Sequence, residues 1–446
     1  MLMHLRRLTK ESGKRCAVSF DLAGPKVRTG AMEPGPAVVK WRPARNAVGR
    51  VTQLARVRFV ERVTEAGGGD AIPVEGDLLA HARHGDSIEL QDARGRSRSL
   101  RVVEVAGAGG CVCETDSTAY VVPGTRLVLR RGRRVVGSGE VGALPVVEQW
   151  ISLRRGDLLD LLRGEVPGRD AVHDDDGKVL QPAFVSCAVP EVFRCVRPGE
   201  AVLFDDGRIR GSVREAGEER IRIEITAVAR GAAKLRAGKG INLPESDLHL
   251  PALTAKDVED LGFVAKHADM VALSFVQRPE DVEALIAALE DLQARPIGIV
   301  LKIETRAGFE RLPALLLAAM RRPPVAVMVA RGDLGVEVGF ERLAEVQEEI
   351  LWLCEAAHVP VIWATQVLES LAKGGMPSRA EVTDAAMGGR TECVMLNKGP
   401  FIRETLRFLT DVLARMEEHQ HKKTSRLRKL RVSESHAPAA RRKRKE

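Results

Sequence analysis

The 446-residue sequence is poor in several things at once. It has one tyrosine, Tyr120, three asparagines (Asn46, Asn242 and Asn397), and aromatic residues make up only 4% of it. Few aromatics argue against the stacking platforms on which RNA-binding modules hold splayed bases. No run of about 18 apolar residues occurs, so no membrane-spanning helix is expected. The start, "MLMHLRRLTKESGKR", is an amphipathic helix pattern with Leu2, Leu5 and Leu8 on one side. It lacks a secretory apolar block and a cleavage site, so export is not expected, and acidic Glu11 argues against a transit peptide. Seven cysteines, an odd number scattered from Cys16 to Cys393, do not make a disulfide framework, and a reducing cytoplasm fits. Cys111-Val-Cys113 has no second pair at zinc-ligand spacing, which leaves ordinary strand cysteines as the simpler reading.

What is present is ordinary in bulk: 44% apolar and 29% charged residues, and length enough for roughly two to four domains. The net charge of +8 is misleading as a property of the whole. Residues 422–446 hold eleven Lys or Arg against two Glu, so the rest of the chain is near neutral. That tail, taken as 419–446, lacks apolar periodicity and is expected to be disordered. It reads either as a solvated end or as a weak, salt-sensitive polyanion binder.

From about residue 239 to 418 short apolar runs alternate with helical patterns. "MVALSF" (270–275), "IGIVLKIE" (297–304), "VAVMVA" (325–330), "VPVIWAT" (359–365) and "CVML" (393–396) read as parallel strands buried on both faces. Thr254 and Asp257 have capping-box spacing at a helix start. "CAVSFDL" (16–22) is one more such strand far upstream, within a first barrel segment, 1–30. Between them the texture turns antiparallel: an additional β-rich insert over 31–149 and a second β domain over 150–238. "HGDSIELQDARGR" and "PGEAVLFDDGRIR" look alike, either as a duplication or as two similar hairpins.

Polar residues close the strands: Asp21, Ser274, Lys302 with Glu304, Asp333 and Thr365. Parallel strands present their C-terminal ends on one face, and in a βα barrel that face carries the chemistry. Glu304 and Asp333 are hard oxygen donors of the kind that bind Mg²⁺ or Mn²⁺. Lys302 precedes Glu304 by two residues, so both point to one side of the strand, and a lysine beside a metal suits a phosphate or an enolate oxygen. Gly332 lets backbone amides approach an anion, with a turn expected to start after it.

Taken in order, "DLAGPKVRTG", "FDDGRI", "GKGINLPESDLHLPALTAKD", "VLKIETRAGFE", "VMVARGDLGVEV", "VIWATQVLES" and "PSRAEVTDAA" resemble the pyruvate kinase family. The resemblance implies a TIM-type (β/α)8 barrel with an inserted β-barrel-like lid domain. It implies transfer of the phosphoryl group of phosphoenolpyruvate to ADP, giving pyruvate and ATP, and a homo-oligomer is in keeping with it. Lys302 would stabilise the phosphoryl group in flight, and Glu304 and Asp333 would hold the divalent ion. Gly332, Asp333, Thr365 and Ser274 would bind substrate, and Arg28 would contact its phosphate. Asp21 and the Leu22 carbonyl would form a monovalent K⁺ site. Lys26 stands where potassium-dependent members tend to have glutamate, so its ammonium could replace that ion. Asp205 and Asp206 would belong to the lid.

The pattern departs from the family in places. Its first two barrel strands are not found, nor is the Arg-x-Asn-x-Ser-His-Gly string of the second, so six strands leave the barrel incomplete at its N-terminal side. A start upstream of Met1, a degenerate protein, and a barrel completed by another chain are the readings weighed. The last strand reads "CVMLNKGP", and the C-terminal regulatory domain is not found. Two alternatives to the kinase are therefore kept: a metal-dependent pyruvate-enolate lyase or aldolase, and an inactive scaffold with a nucleic-acid-binding tail.

Overall fold

The structure, a computed structural model, describes residues 1–61, 71–106, 109–417, 419–421 and 424–425. Most of the basic tail, and with it the expectation of disorder there, lies outside the described residues. At its start Gln420–His421 pairs antiparallel with Thr424–Ser425, a hairpin that the polar sequence did not announce. The chain forms two compact units: Met1–Ala31 with Ile151–Glu446, and Met32–Trp150.

The first unit is built on six parallel strands in sequence order: β1 (Ser19–Asp21), β2 (Met270–Leu273), β3 (Gly298–Ile303), β4 (Val325–Ala330), β5 (Val361–Ala364) and β6 (Cys393–Val394). Val325–Ala330 matches its apolar run and the other five strands are shorter than theirs; Asp21 and Lys302 fall inside their strands, while Ser274, Glu304, Asp333 and Thr365 lie beyond the ends. The array does not close, so β1 and β6 are its edges among the described residues. Its core is aliphatic: Val271, Leu273, Ile299, Leu301, Ile303, Val327 and Val329 pack against Leu261 and Val264 of helix α1 (Ala255–His267) and Leu285 and Leu289 of α2 (Pro279–Asp291). Side chains buried on both faces explain why these strands read as continuous apolar runs. The capping box at α1 forms as its spacing predicts, with the Asp257 amide donating to Thr254 Oγ1 at 3.2 Å. The same carboxylate accepts the Ala23 amide at 2.8 Å and so anchors the chain just after β1.

After β1 the chain leaves through residues 24–30 and returns through residues 236–242, and the two segments form a two-stranded neck. Ile241 N–H donates to Val27 O at 2.9 Å, Thr29 N–H to Lys239 O at 2.8 Å and Gly238 N–H to Thr29 O at 2.9 Å. Beyond the neck lies the lid. Its six-stranded sheet runs, in spatial order, Ala183–Cys187, Leu158–Arg163, Arg220–Val228, Ile209–Ala216, Ala201–Phe204 and Ile241–Asn242.

Met32–Trp150 contains the closed barrel, seven strands around Phe59, Ile72, Leu78, Ile88, Leu100, Leu127 and Leu129. Cys111 and Cys113 are buried in that core as free thiols. The likeness between the two quoted segments extends to the hydrogen bonds. Gly85 N–H donates to Val102 O, whose N–H returns to Asp86 O; Gly199 N–H donates to Val213 O, whose N–H returns to Glu200 O. In both, the acid three residues after an arginine caps that arginine's amide: Asp86 that of Arg83, Glu200 that of Arg197. The same exchange recurs at Gly124 with Val141 and at Gly156 with Ile225. The turn thus occurs four times among the described residues, twice in each unit.

Candidate active site

The strand ends gather their polar side chains as a parallel array requires. Lys302 lies at the end of β3, and its ammonium reaches three oxygens: Ser274 Oγ at 2.8 Å, Asp21 Oδ2 at 3.2 Å and Glu304 Oε1 at 3.4 Å. These come from the ends of β1, β2 and β3. Burial works against its charge, but the carboxylates of Glu304 and Asp21 outweigh burial and raise its pKa. Ser274 is buried and relays onward, donating to the Leu22 carbonyl at 2.6 Å.

Glu304 is 4% exposed. Its Oε2 accepts the Phe275 amide at 2.7 Å. Burial first, and then the charge of Asp333, push its carboxyl above the usual range against the pull of Lys302 and that amide. The Asp333 charge thus opposes ionisation of Glu304.

At β4 the expected turn is instead a helix: α3 (Arg331–Val338) begins on the residue after the strand. Arg331 is buried and does not face the strand-end cluster described above. Its Nε donates to Ala364 O at 2.8 Å, its two terminal nitrogens bond to Thr365 O and Asp384, and its guanidinium lies 4.7 Å from the centre of the Trp363 ring. It binds the end of β5 to the start of α3. Gly332 and Asp333 then fall in the first turn, where amides have no partner within the helix. The Gly332 amide donates to Thr365 Oγ1 at 2.9 Å, which joins two of the residues assigned to substrate. Thr365 and Gln366 have φ of 65° and 57°, and Phe275 has φ of 54°. Left-handed backbone at non-glycine residues is uncommon and concentrates where function fixes geometry.

Lys26 departs from its expected place. Its ammonium sits on Asp333, 2.7 Å from Oδ1 and 2.9 Å from Oδ2, with the Phe275 ring centre 5.7 Å away. The carboxylate expected beside it, Asp21, is instead 3.2 Å from Lys302, and the Leu22 carbonyl is taken up by Ser274. Arg28 lies on the neck, exposed, donating to Gly238 O at 2.9 Å. Asp205 and Asp206 form the lid turn, both with positive φ, and Asp205 pairs with Lys239 at 2.8 Å. That turn approaches the barrel, for a Cβ on Gly207 would be 3.7 Å from Val336 of α3. Asn242, at the foot of the lid, donates to Glu337 Oε1 at 3.0 Å. The clamp by Arg331 and the Asn242–Glu337 link carried no signal beyond residue type. The Lys26–Asp333 pair spans 307 positions and had none.

The donor set suits a hard divalent ion. Among the described residues no group of three or more His, Cys, Asp or Glu side chains is assembled for a metal. Mg²⁺ needs only one or two protein carboxylates when water and substrate oxygens complete its shell. Glu304 and Asp333 are carboxylates of that kind, and each now contacts a lysine, Lys302 at 3.4 Å and Lys26 at 2.7 Å.

Acids, a lysine and a helix N-terminus at the C-terminal ends of parallel strands define a βα-barrel protein of the TIM type. A family model described as "Pyruvate kinase, barrel domain" matches residues 171–400. A pyruvate kinase of Bacillus licheniformis is 33% identical over 276 residues, which cover 60% of this chain and 46% of that protein. One from Clostridium acetobutylicum is 35% identical over 215 residues (48% and 44%), and one from Thermotoga maritima 33% over 242 (54% and 47%). The chain belongs to the pyruvate kinase family. It spans a little under half the length of these relatives. Among the described residues no helix is long and apolar enough to cross a membrane.

Proposed function

We propose that this chain moves the phosphoryl group of phosphoenolpyruvate to ADP. The observation that carries the reading is the placement of Lys302, its ammonium within 3.4 Å of oxygens from three strand ends and two residues before a buried carboxylate. An ammonium held there meets the negative charge that develops on a phosphoryl group in transfer. Glu304 and Asp333 would hold Mg²⁺ or Mn²⁺, which when bound supplies further neutralisation of the phosphoryl oxygens. The Gly332 and Asp333 amides with Thr365 Oγ1 would orient the pyruvate carboxylate at the start of α3. Arg28 and the Asp205–Asp206 turn come from the neck and the lid, and closure of the lid would bring them to the substrate. Lys26 contributes a fixed positive charge that would lessen any need for K⁺.

A coupled assay on the full chain tests this. Pyruvate should appear from phosphoenolpyruvate only when ADP is present, and Asp333→Ala should lose most Mn²⁺ binding while melting near the parent temperature. Pyruvate formed equally without ADP would point to a lyase or hydrolase, and absence of turnover to a scaffold; either outcome overturns the reading.

A further inference from the structure

The turn that the lid points at the barrel has a counterpart in Met32–Trp150, and the counterpart is built from arginine. It joins strand Ser87–Gln91 to strand Ser97–Ala106. Asp92, its side chain fully buried, accepts the amides of Arg94 and Arg96 at 3.0 and 3.1 Å and the Arg94 guanidinium at 2.6 Å, with Arg98 Nε at 3.4 Å. One carboxylate thus arranges three arginines and neutralises only one charge.

A second group of cations adjoins the first. Lys40 and Tyr120 are cross-strand partners. The Lys40 ammonium lies 5.1 Å and the Arg94 guanidinium carbon 4.5 Å from the Tyr120 ring centre. Arg94 also donates to Thr118 O at 3.1 Å, and Arg45 to Gly49 O and Asp116 O at 2.8 and 2.9 Å. For Lys40 and Arg45 these partners are a ring and neutral carbonyls, which fix the cations without cancelling them, whereas the Arg94 charge is met by Asp92. Among the described residues Lys40, Arg42, Arg45 and Arg96 form no ion pair with a carboxylate, and all four are exposed. The Tyr120 phenol responds to this field: hydrogen bonding to Lys40 and the charges of Lys40, Arg94 and Arg42 hold it below its ordinary pKa.

We propose that this face of the Met32–Trp150 unit binds a nucleic-acid strand through its phosphodiester backbone. Separate segments, around residues 40–45 and 92–98, carry the cations, which suits a chain of phosphates better than a single one. For Lys40, Arg45 and Arg94 part of the ordering cost is already met by the carbonyls and the ring. Tyr120 is the seat of two cations and no stacking platform, so binding is indifferent to base sequence. This agrees with the scarcity of aromatic residues.

The test is fluorescence anisotropy of the full chain with a labelled single-stranded RNA and a duplex DNA of equal length. About four phosphate contacts give a slope of log affinity against log salt near −3 for the single strand. Lys40→Glu with Arg42→Glu should weaken binding at least tenfold at low salt, and the milder Lys40→Gln should weaken it less. Replacing the cations of residues 441–445 by glutamine should leave the slope nearly unchanged, and circular dichroism checks that each variant folds. Binding of either nucleic acid that depends on the 40–42 cations supports the proposal. It is overturned if heparin alone binds, if the tail variant loses binding while the Lys40/Arg42 variant keeps it, or if affinity follows base sequence.

Discussion

Removing the Lys26 ammonium should make the divalent ion bind more tightly. Lys26 contacts both oxygens of Asp333, at 2.7 and 2.9 Å, and the two side chains are only 22% and 19% exposed. A cation that takes Asp333 as ligand must displace this ammonium or share the carboxylate with it. A hydrogen bond to a charged group contributes about 1.5–3 kcal/mol. With tenfold in affinity per 1.4 kcal/mol, Lys26→Met should lower the Mn²⁺ dissociation constant by about 10- to 100-fold. Without metal the same variant leaves Asp333 partly buried and uncompensated, so it should melt below the parent, and added Mn²⁺ should recover more stability in the variant than in the parent. Lys26→Arg keeps the charge and should behave like the parent. Free Mn²⁺ read by electron paramagnetic resonance gives the affinities, and thermal melts with and without the ion give the stabilities. Mn²⁺ affinity in Lys26→Met that is unchanged or weaker refutes the competition. If Asp333→Asn also binds Mn²⁺ normally, the metal-site assignment fails with it.

Added K⁺ at fixed ionic strength should change turnover less than about twofold, since the Lys26 charge is always present; a steep rise would refute that role. Glu304 has a folded-state pKa raised mainly by burial, so its contribution to stability is complete below the ordinary glutamate range and is lost as pH rises through the raised value. The melting temperature of the metal-free parent relative to Glu304→Gln should therefore climb as pH falls from 8 toward 4.5, and a flat or falling difference would contradict the burial. Arg331→Met strands Asp384 and two carbonyls at the end of β5, and should cost about 3–5 kcal/mol in urea unfolding; a loss under about 1 kcal/mol would show that the clamp is dispensable.

The parallel array was legible because strands covered on both faces must be apolar throughout, and because polar residues can enter only where such strands end. For the same reason Lys302, Glu304, Asp333 and Thr365 could be named from the chain alone: position at a strand end is local information. Which cation meets which carboxylate is not local. Lys26 reaches Asp333 rather than the Asp21–Leu22 position because the neck folds back over the barrel, and no spacing in the sequence encodes that return. Arg331 looked like the first residue of a loop, since a strand passing directly into a helix leaves no gap to mark it. The insert showed its β character in its alternation. Its closure into a barrel depends on pairing between distant strands, such as Val141 with Val74 and Gly110 with Val60, that alternation cannot specify.

The neck has a mechanical consequence. The two passages by which the chain leaves and re-enters the parallel array are zipped together over Val27–Thr29 and Gly238–Ile241, so the lid adjoins a ribbon and not two loose cords. A ribbon bends readily across its flat face and resists shearing of one strand past the other. Any movement of the lid should therefore favour a swing across the flat face of that ribbon, with Arg28 and Lys239, which ride on it, travelling together.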